Sequence, residues 1–487
     1  MSDAKYKTII FLSGFLFRLF LVVSIIFINP YGLHFFANPD FQGSDQADFA
    51  LVTKNIADHG VFSFSKAPPF TPDEFRTPLF PLFTSLFYWL TGNFLLYSFL
   101  NIILSALIGV IVYEICLLLF TGKKLAFLAG LIFGFLPYTA YLSTMVMADT
   151  LFTFLFLIAM FFAFRFLKDQ SRSRDLIWTG VFLGLATLTR PISQYFIFAV
   201  IFSLLLLPTT NARLNDTRKE KACLPAGRKL IWSLVVICAF TLVISPWLIR
   251  NYIVFKEVKL SSLGGHHMFV SWITPYRAYV KDHIPRSEEA VKTAEYIKEK
   301  YGKYGSEAMY DPVISAGLGE ESKREILGNL GTYLPFHAVS SAIYYMNNDV
   351  VLTLSEVFQI RPGKGVYIVE KIFNRDWRGF LNNVSELGFV YVIVYFLSYF
   401  LIFAKNLLAL YGLKKYLRIS PVLTLFVLMI LIYFPILVGP EGHARFRMPV
   451  EPFLLIFALA GVSALINFLK YKYIGTKCFK FSQLDRQ

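Results

Sequence analysis

The chain of 487 residues is 56% hydrophobic, and only 16% of its residues are charged, whereas soluble domains carry about 25% charged residues. Its formal net charge is +15, which in a soluble protein would suggest a nucleic-acid partner. Here Lys and Arg concentrate in short loops between apolar runs, as they do in the cytoplasmic loops of membrane proteins. The composition therefore excludes an ordinary soluble domain and predicts a polytopic membrane protein with no nucleic-acid partner.

About ten apolar segments are predicted to cross the bilayer. We place them at 8–29, 94–120, 125–146, 150–167, 176–189, 192–207, 230–249, 387–404, 420–438 and 450–469. Basic residues follow alternate segments; Lys405, for example, follows the eighth. This bias places both termini in the cytoplasm and the long loops 30–93 and 251–385 outside.

The first outer loop contains two predicted helices joined by irregular chain. The first helix begins with Asp45 and Asp48, which suit the positive end of its dipole, and Ser44 is placed to cap it. After a run rich in Pro and Phe, a second helix opens with Pro78. This helix is too short to span and is expected to lie in the membrane interface or to dip inward.

Five arginines lie at the outer ends of different segments, where the positive-inside rule predicts few basic residues. They are Arg76, Arg190, Arg250, Arg445 and Arg447. Each alone fits an anchor whose guanidinium reaches the interface. For five arginines from separate segments, binding of one anion by several of them is a better explanation than five separate anchors. Guanidinium groups suit this role because they bind phosphate in a bidentate manner. Arg76 also precedes the helix at Pro78, whose free N–H groups suit a phosphate.

Acidic and imidazole side chains at the same face complete the candidates. Asp149, in MVMADTLF, lies between the third and fourth segments. A carboxylate in such an apolar setting indicates function, unless it only begins the next helix. His266, His267 and His443 also lie outside. With the acids they would suit a divalent cation, although unliganded loop histidines are commoner. The sequence therefore allows a divalent cation without identifying its ligands, and it predicts no other cofactor.

Several stretches together resemble bacterial GT-C glycosyltransferases, a superfamily that includes protein O-mannosyltransferases and the aminoarabinose transferases that modify lipid A. The stretches are GSDQADFALVTKNIADHG, FRTPLFPLFTSLFYWLTG, MVMADTLFTFLF, LTRPIS, SPWLIRNYIVF with SSLGGHH, and ARFRMPVEPFL. They extend from residue 43 to residue 455 in the order that the family shows.

The resemblance implies an all-α GT-C type bundle with interfacial helices in the first outer loop and a helical outer region. It also implies an inverting transfer of sugar from a polyprenyl-phosphate carrier at the outer face. The family's first-loop aspartate, which acts as base, falls on Asp45, its second acid on Asp149 and its basic residue on Arg76. In the lipid A enzymes a glutamate precedes that basic residue and helps bind metal. Here the position is Phe75, with Glu74 one residue earlier.

One carboxylate suffices for the expected chemistry. An inverting transfer needs a single in-line attack by an acceptor hydroxyl, whose proton Asp45 can take. The phosphate leaving group needs positive charge rather than a proton. Arg76 is expected to bind this phosphate together with a subset of Arg250, Arg445 and Arg447. Asp149 is the second catalytic candidate, which would orient Asp45, hold the acceptor or share a divalent cation. The accessory candidates are Asp48, Arg190, His266, His267 and His443.

Three regions are predicted. Residues 1–250 form a transmembrane catalytic module that includes the loop 30–93, residues 251–385 form an outer region, and 386–487 form a C-terminal transmembrane module with a basic cytoplasmic tail. The predicted reaction uses a polyprenyl-phosphate-linked sugar and a lipid, glycan or protein hydroxyl, in contact with membrane lipids. The alternatives are an enzyme of the O-antigen ligase or polymerase type, and a flippase or transporter of lipid-linked sugars, which would carry ionisable residues near the midplane of several segments.

Overall fold

The computed structural model describes residues 2–29, 31–39, 44–207, 226–303, 305–348, 350, 353, 377–386 and 389–474. Regular structure within these ranges is entirely helical, which confirms the predicted all-α class. Residues 208–225 of the predicted basic loop 208–229, the end of the basic tail and the side chain of Ser44 lie outside the described part.

The helices fall into three runs along the chain. The first run is α1 (Asp3–Ile28), α2 (His34–Ala37), α3 (Ser44–His59), α4 (Leu79–Thr91), α5 (Leu95–Phe120), α6 (Lys123–Gly134), α7 (Pro137–Leu142), α8 (Asp149–Lys168), α9 (Arg174–Thr189), α10 (Phe196–Leu206) and α11 (Ala226–Phe255). The second is α12 (Leu263–His267), α13 (Thr274–Tyr276), α14 (Arg286–Tyr301), α15 (Gly305–Met309), α16 (Pro312–Gly328) and α17 (Leu330–Ile343), with π-helical turns at Met268–Ile273 and Arg277–Lys281. The third is α18 (Trp377–Glu386), α19 (Phe389–Leu417), α20 (Pro421–Val438) and α21 (Glu451–Ile474).

Seven helices of the described part are long and apolar enough to cross a membrane. They are α1, α5, α8, α11, α19, α20 and α21. Each of the ten predicted segments overlaps a helix, but α6, α9 and α10 have only 12, 16 and 11 residues. The multi-pass architecture is therefore confirmed, while the count of ten spans stays a prediction.

Helix α6 ends inside the bundle, although the sequence predicted one span over 125–146. It begins at Lys123, whose Nζ is 2.9 Å from Oδ1 of Asp3 at the start of α1. Its last residue, Gly134, lies beside the middle of α1, where the fully buried Arg18 donates to the carbonyl oxygens of Gly14 (2.9 Å) and Gly134 (2.7 Å). Carbonyls at a helix C-terminus lack intrahelical partners and attract cations, so Arg18 stabilises this end.

Helix α8 is the most deeply buried of the seven long apolar helices in the described part, and it packs against both α5 and α9. Phe156, near its middle, lies 5.2 Å from Phe196 of α10 and 5.2 Å from Phe434 of α20, measured between ring centroids. Both contacts are edge-to-face, the geometry that aromatic rings favour. They hold α10 and α20 against α8 and so fix the position of Asp149, the first residue of α8.

Helices α19 and α21 run parallel and cross at two glycines. A Cβ atom at Gly412 or at Gly461 would lie 2.1 Å from a main-chain oxygen of the other helix, so the crossing requires glycine. Lys405 of α19 pairs with Glu451, the first residue of α21. The sequence placed Lys405 in a loop after the eighth segment, which was wrong: α19 continues to Leu417, and Lys405 neutralises a buried acid within the bundle.

Between α11 and α18 the chain forms a smaller helical unit with its own core, made of Phe269, Ile273, Tyr276, Ile297, Ala308, Ile314, Leu318 and Tyr333. This unit lies against the first loop. The N–H of Ser262 donates to the carbonyl of Glu74 at 3.0 Å, and the Tyr310 ring stacks on Phe64 with a centroid separation of 4.7 Å. The first loop and this helical unit therefore lie at the same end of the bundle.

Candidate active site

Asp45, near the start of α3, lies between two guanidinium groups from distant parts of the chain. Nη2 of Arg76 is 3.0 Å from Oδ1 of Asp45, and Nη1 of Arg445 is 2.5 Å from Oδ2. Nη2 of Arg76 also donates to Oδ2 of Asp48 at 3.0 Å. The predicted base and two of the predicted phosphate-binding residues are thus in direct contact.

Local structure explains how α3 and Arg76 meet. Asp45 and Asp48 share one face of α3 because residues three apart are neighbours on a helix. The guanidinium of Arg76 lies over the Phe49 ring, with Cζ 4.3 Å from its centroid. Phe49 in turn meets Phe80 of α4 edge-on at 4.7 Å. Aromatic packing between α3 and α4 therefore directs Arg76 toward the acids.

A second ion pair joins Asp149, at the start of α8, to Arg190, which follows α9. The side chain of Asp149 is almost completely buried. The guanidinium groups of Arg190 and Arg445 both lie over the Phe446 ring, with Cζ atoms 5.0 Å and 4.8 Å from its centroid. The two ion pairs therefore share one aromatic contact, and Asp149 belongs to the same cluster as Asp45.

Charge in this cluster favours the ionised form of Asp45. Burial opposes ionisation, but the guanidinium groups of Arg76 and Arg445 outweigh it and hold the pKa of Asp45 well below its usual range. Burial also opposes the charged form of Arg445 and so lowers its pKa. The carboxylates of Asp149 and Asp45 raise this pKa by more, so that it lies above its usual value. Asp45 is therefore a carboxylate, and Arg445 a cation, at any physiological pH.

His267 and Glu441 border the cluster, with His267 Nε2 3.5 Å from Glu441 Oε2. Burial lowers the pKa of His267 and of His443, so both imidazoles are neutral at pH 7. Burial also lowers the pKa of His266 to about 4, and its main-chain N–H donates to Ser315 Oγ at 3.0 Å. Of the predicted histidine pair, only His267 contacts an acid within the described part of the chain.

The described residues do not fit a divalent cation. No group of three or more His, Cys, Asp or Glu side chains among them is placed to hold a metal ion. The carboxylate oxygens of Asp45 and Asp48 instead contact Arg76, Arg445 and Tyr310. The cationic guanidinium groups of Arg76 and Arg445 beside these oxygens repel a metal ion. The reaction is therefore described below without a metal.

Arg250 and Arg447 were the other candidates for the phosphate site, and in the structure both have partners that lie away from Asp45. Arg250 Nη1 donates to the Asp73 carbonyl at 2.6 Å, and its Cζ lies 4.6 Å from the Trp247 ring centroid. Arg447 is 2% exposed, and its Nε lies 2.9 Å from Glu451 Oε2. Each arginine is thus bound by the protein itself, Arg250 beside the first loop and Arg447 at the start of α21.

Three residues of the site were missed by the sequence analysis. Tyr310 donates its hydroxyl proton to Oδ1 of Asp48, Glu441 contacts His267, and Gln46 places Nε2 3.4 Å from the sulfur of Met145 and 3.4 Å from that of Met147. Tyr310 lies in a polar stretch without a pattern that would single it out. Glu441, however, lies four residues before Arg445, and its negative charge beside a candidate cation was a usable signal.

The described helices and the paired acids and arginines at one end define a membrane-embedded protein with a charged site at the edge of its bundle. Residues 75–249 match the family model described as "Dolichyl-phosphate-mannose-protein mannosyltransferase". This range contains Arg76, Asp149 and Arg190, and over it the match confirms the resemblance to GT-C membrane glycosyltransferases. A comparison with curated proteins finds no match.

Two solved structures are similar to the chain at low identity. The oligosaccharyltransferase AglB from Archaeoglobus fulgidus, in complex with an inhibitory peptide and a dolichol-phosphate, is 14% identical with a TM-score of 0.49, over 96% of this chain and 52% of that one. The chain thus spans about half the length of the archaeal enzyme. ArnT from Cupriavidus metallidurans, in the apo state, is 16% identical with a TM-score of 0.31, over 83% and 73% of the two chains. At these TM-scores the similarity assigns neither residues nor substrates.

Proposed function

We propose that the chain is an inverting glycosyltransferase of the cell membrane, which moves a sugar from a polyprenyl-phosphate carrier to a hydroxyl group of a lipid, glycan or protein. The observation that carries the proposal is the contact of Asp45 with both Arg76 and Arg445. It combines a carboxylate that can accept a proton with two groups that suit phosphate. The family match over residues 75–249 supports the same class of reaction.

Each group has a defined task in this reaction. The acceptor oxygen attacks the anomeric carbon opposite the carrier phosphate, and its proton passes to Asp45. The bond between the anomeric carbon and the phosphate oxygen breaks, and its electron pair stays on that oxygen. Arg76 and Arg445 stabilise the charge that develops there. A second carboxylate is unnecessary, unlike in glycoside hydrolysis, where the leaving group must be protonated.

The low pKa of Asp45 makes it a weak base before the donor binds. A donor phosphate competes with Asp45 for the guanidinium groups of Arg76 and Arg445. As these contacts pass to the phosphate, the influence that lowers the pKa of Asp45 weakens and its basicity increases. The donor thereby prepares the base that the acceptor needs.

The other candidates act on the position of these groups. Asp149 holds Arg190 against the Phe446 ring, on which Arg445 also lies. Arg250 binds the chain just before Arg76 through the Asp73 carbonyl. We therefore assign the phosphate to Arg76 and Arg445, and positioning to the remaining arginines.

The reaction is proposed to occur at the outer face of the membrane, with both termini in the cytoplasm. This orientation follows from the excess of Lys and Arg in the short loops. The first loop and the helical unit over 256–348 share one end of the bundle, as the orientation requires of two outer loops. The donor then reaches the site from the outer leaflet.

Asp45→Asn tests the proposal, because it preserves shape and removes the basic oxygen. Mass spectrometry of surface glycans and carrier lipids, with and without the gene, first identifies the donor and the product. Turnover by Asp45→Asn should then fall roughly 100-fold or more. The matched control is Asp58→Asn, at the exposed end of the same helix, which should transfer normally. Near-normal transfer by a correctly inserted Asp45→Asn protein would reject the proposal.

A further inference from the structure

A glycine turn brings the helical unit into contact with the segment beside Arg445. Gly439, directly after α20, has φ of +58°, a conformation that favours glycine. A Cβ atom there would lie 2.7 Å from Cε1 of His337 and 3.0 Å from Nε1 of Trp272. The absence of a side chain at Gly439 therefore lets the indole N–H of Trp272 approach the turn 439–441.

Two polar atoms at this contact lack hydrogen-bond partners among the residues that the structure describes. They are Nε1 of Trp272, which can only donate, and Oε2 of Glu441, which as a carboxylate oxygen can only accept. Both atoms are buried, and burying such a group unpaired is costly. The nearby His267 Nε2 is 3.5 Å from Glu441 Oε2, beyond the usual length of an N–H···O hydrogen bond.

We propose that Trp272, Glu441 and His267 form a subsite for the hydroxyl groups of a sugar ring, namely the sugar that the lipid donor carries. A hydroxyl group donates one hydrogen bond and accepts others, so neighbouring hydroxyls can satisfy an indole N–H and a carboxylate together. A site that hydrogen-bonds a hydroxyl also rejects analogues that lack it. The subsite would therefore select the donor sugar. This inference rests on the proposed function.

The position of Glu441 favours the donor sugar over an acceptor. Glu441 lies four residues before Arg445 in the short segment between α20 and α21, and Arg445 contacts Asp45. In a polyprenyl-phosphate donor the sugar is bonded directly to the phosphate. Groups that bind its hydroxyls must therefore lie beside the groups that bind the phosphate, as Glu441 lies beside Arg445.

Binding measurements on the purified full chain can separate recognition of sugar from recognition of phosphate. The probes are farnesyl phosphate and a series of the same lipid carrying mannose, glucose, galactose or 4-amino-4-deoxyarabinose on the phosphate. Glu441→Gln and Trp272→Phe should each weaken the best-bound glycosylated probe roughly 10-fold. Neither variant should weaken the binding of farnesyl phosphate, which carries no sugar. The controls are Glu320→Gln, an exposed acid of α16, and Trp178→Phe, an exposed indole of α9.

A deoxy analogue of the best glycosylated probe sharpens the assignment. If Glu441 binds the missing hydroxyl, the natural chain and Glu441→Gln should bind the analogue with equal affinity. Removing the hydroxyl and changing Glu441 then abolish the same hydrogen bond. Trp272→Phe keeps an aromatic ring beside His337 and removes the indole N–H, so its effect reports mainly the lost hydrogen bond.

Each contrary outcome has a distinct meaning. If both variants weaken farnesyl phosphate as much as the glycosylated probe, the residues are structural and the inference is overturned. It is also overturned if no glycosylated probe binds more tightly than farnesyl phosphate. The same holds if the variants change only the KM for the acceptor. Neither of these two results contradicts the proposed function. If the natural chain binds none of these lipids, the proposed function itself fails.

Discussion

Asp73 and Asp45 are both carboxylates of the first loop, but their neighbours shift their pKa values in opposite directions. Asp45 lies between two guanidinium groups, which lower its pKa. For Asp73 burial is the largest influence, and it raises the pKa to about 6. Oδ1 of Asp73 accepts the N–H of Phe75 at 2.5 Å, so the residue shapes the chain before Arg76. Asp73 is therefore a structural acid, and its protonation affects folding.

Asp73→Asn should stabilise the protein at neutral pH. The folded-state pKa of about 6 exceeds the unfolded value of about 3.9, so between these values the folded state binds more protons. Stability contributed by this group is thus greatest below pH 4 and falls as the pH rises to 6. The variant, which keeps the acceptor oxygen, should be more stable by roughly 1–2 kcal/mol at pH 7, measured by thermal unfolding in detergent between pH 4 and pH 7.

Asp58→Asn, a change at an exposed acid, serves as the control and should retain the pH dependence of the natural chain. If the Asp73→Asn curve runs parallel to that of the natural chain across the window, Asp73 ionises normally and this account of its burial is wrong.

The residues of the site that sequence could predict are those that depart from a rule. Arg76 and Arg445 oppose the charge bias of outer loops, and Asp149 is an acid in an apolar run. Such departures are visible without a structure. Tyr310 obeys every rule for a polar loop, and only its contact with Asp48 shows its place. The pairing of Asp45 with Arg445, 400 positions away, was likewise outside the reach of local patterns.

At the level of elements, apolar runs predicted where helices lie better than where they end. The run 125–146 gave no sign of a break in its hydropathy, yet α6 ends at Gly134 and α7 begins at Pro137. Pro137 was a usable signal, since proline favours the first turn of a helix. The other cause is a tertiary contact: Arg18 binds the Gly134 carbonyl. From the sequence, a single cation in α1 does not indicate which helix end it will contact.

Arg18 also bears on the transporter alternative, because it is a charged residue near the middle of a membrane-spanning helix. Its guanidinium bonds to main-chain carbonyl groups of the bundle itself.

The glycine crossing of α19 and α21 predicts a large effect from a small substitution. Gly461→Ala places a methyl group where a Cβ atom would lie 2.1 Å from the Leu408 carbonyl oxygen, so the helices must separate. We expect destabilisation of roughly 1–3 kcal/mol in thermal unfolding. Transfer should also decline, because α21 carries Glu451, which pairs with Arg447 in the segment that also carries Arg445.

Gly331→Ala is the matched control. Gly331 also lies in a helix, α17, but a Cβ atom there would meet nothing within 4 Å. Alanine is the better helix former by about 1 kcal/mol, so this variant should be neutral or more stable. Equal behaviour of the two variants would show that the crossing tolerates a wider separation than the structure indicates.

For the whole molecule, the site depends on contacts between both halves of the chain. Asp45, Asp48 and Arg76 belong to the first loop, whereas Arg445 follows α20, and neither set makes the cluster alone. The helical unit over 256–348 closes the arrangement, because its Tyr310 bonds to Asp48. The described residues therefore place the first loop, the helical unit and the turn before α21 at one end of the bundle.

This arrangement allows the orientation of the chain in the membrane to be tested at three positions, two expected outside and one expected in the cytoplasm. In a chain whose four natural cysteines are replaced by serine, a cysteine can be introduced at Asp58 in α3, at Lys292 in α14 or at Arg174 in α9, all of which are exposed. Asp58 and Lys292 lie on elements at the Asp45 end. Arg174 lies after the far end of α8, a helix of 20 residues that is about 30 Å long.

A membrane-impermeant thiol reagent should label intact cells at Asp58→Cys and Lys292→Cys, whereas Arg174→Cys should react only after permeabilisation. The reason is the charge bias: the loop around Arg174 is short and basic, as cytoplasmic loops are. Labelling of Arg174→Cys alone in intact cells would invert the orientation and move the proposed reaction to the cytoplasmic face, while leaving the fold intact. Labelling of only one of Asp58→Cys and Lys292→Cys would instead contradict the docking of the helical unit on the first loop. The three positions thus separate an error in topology from an error in the fold.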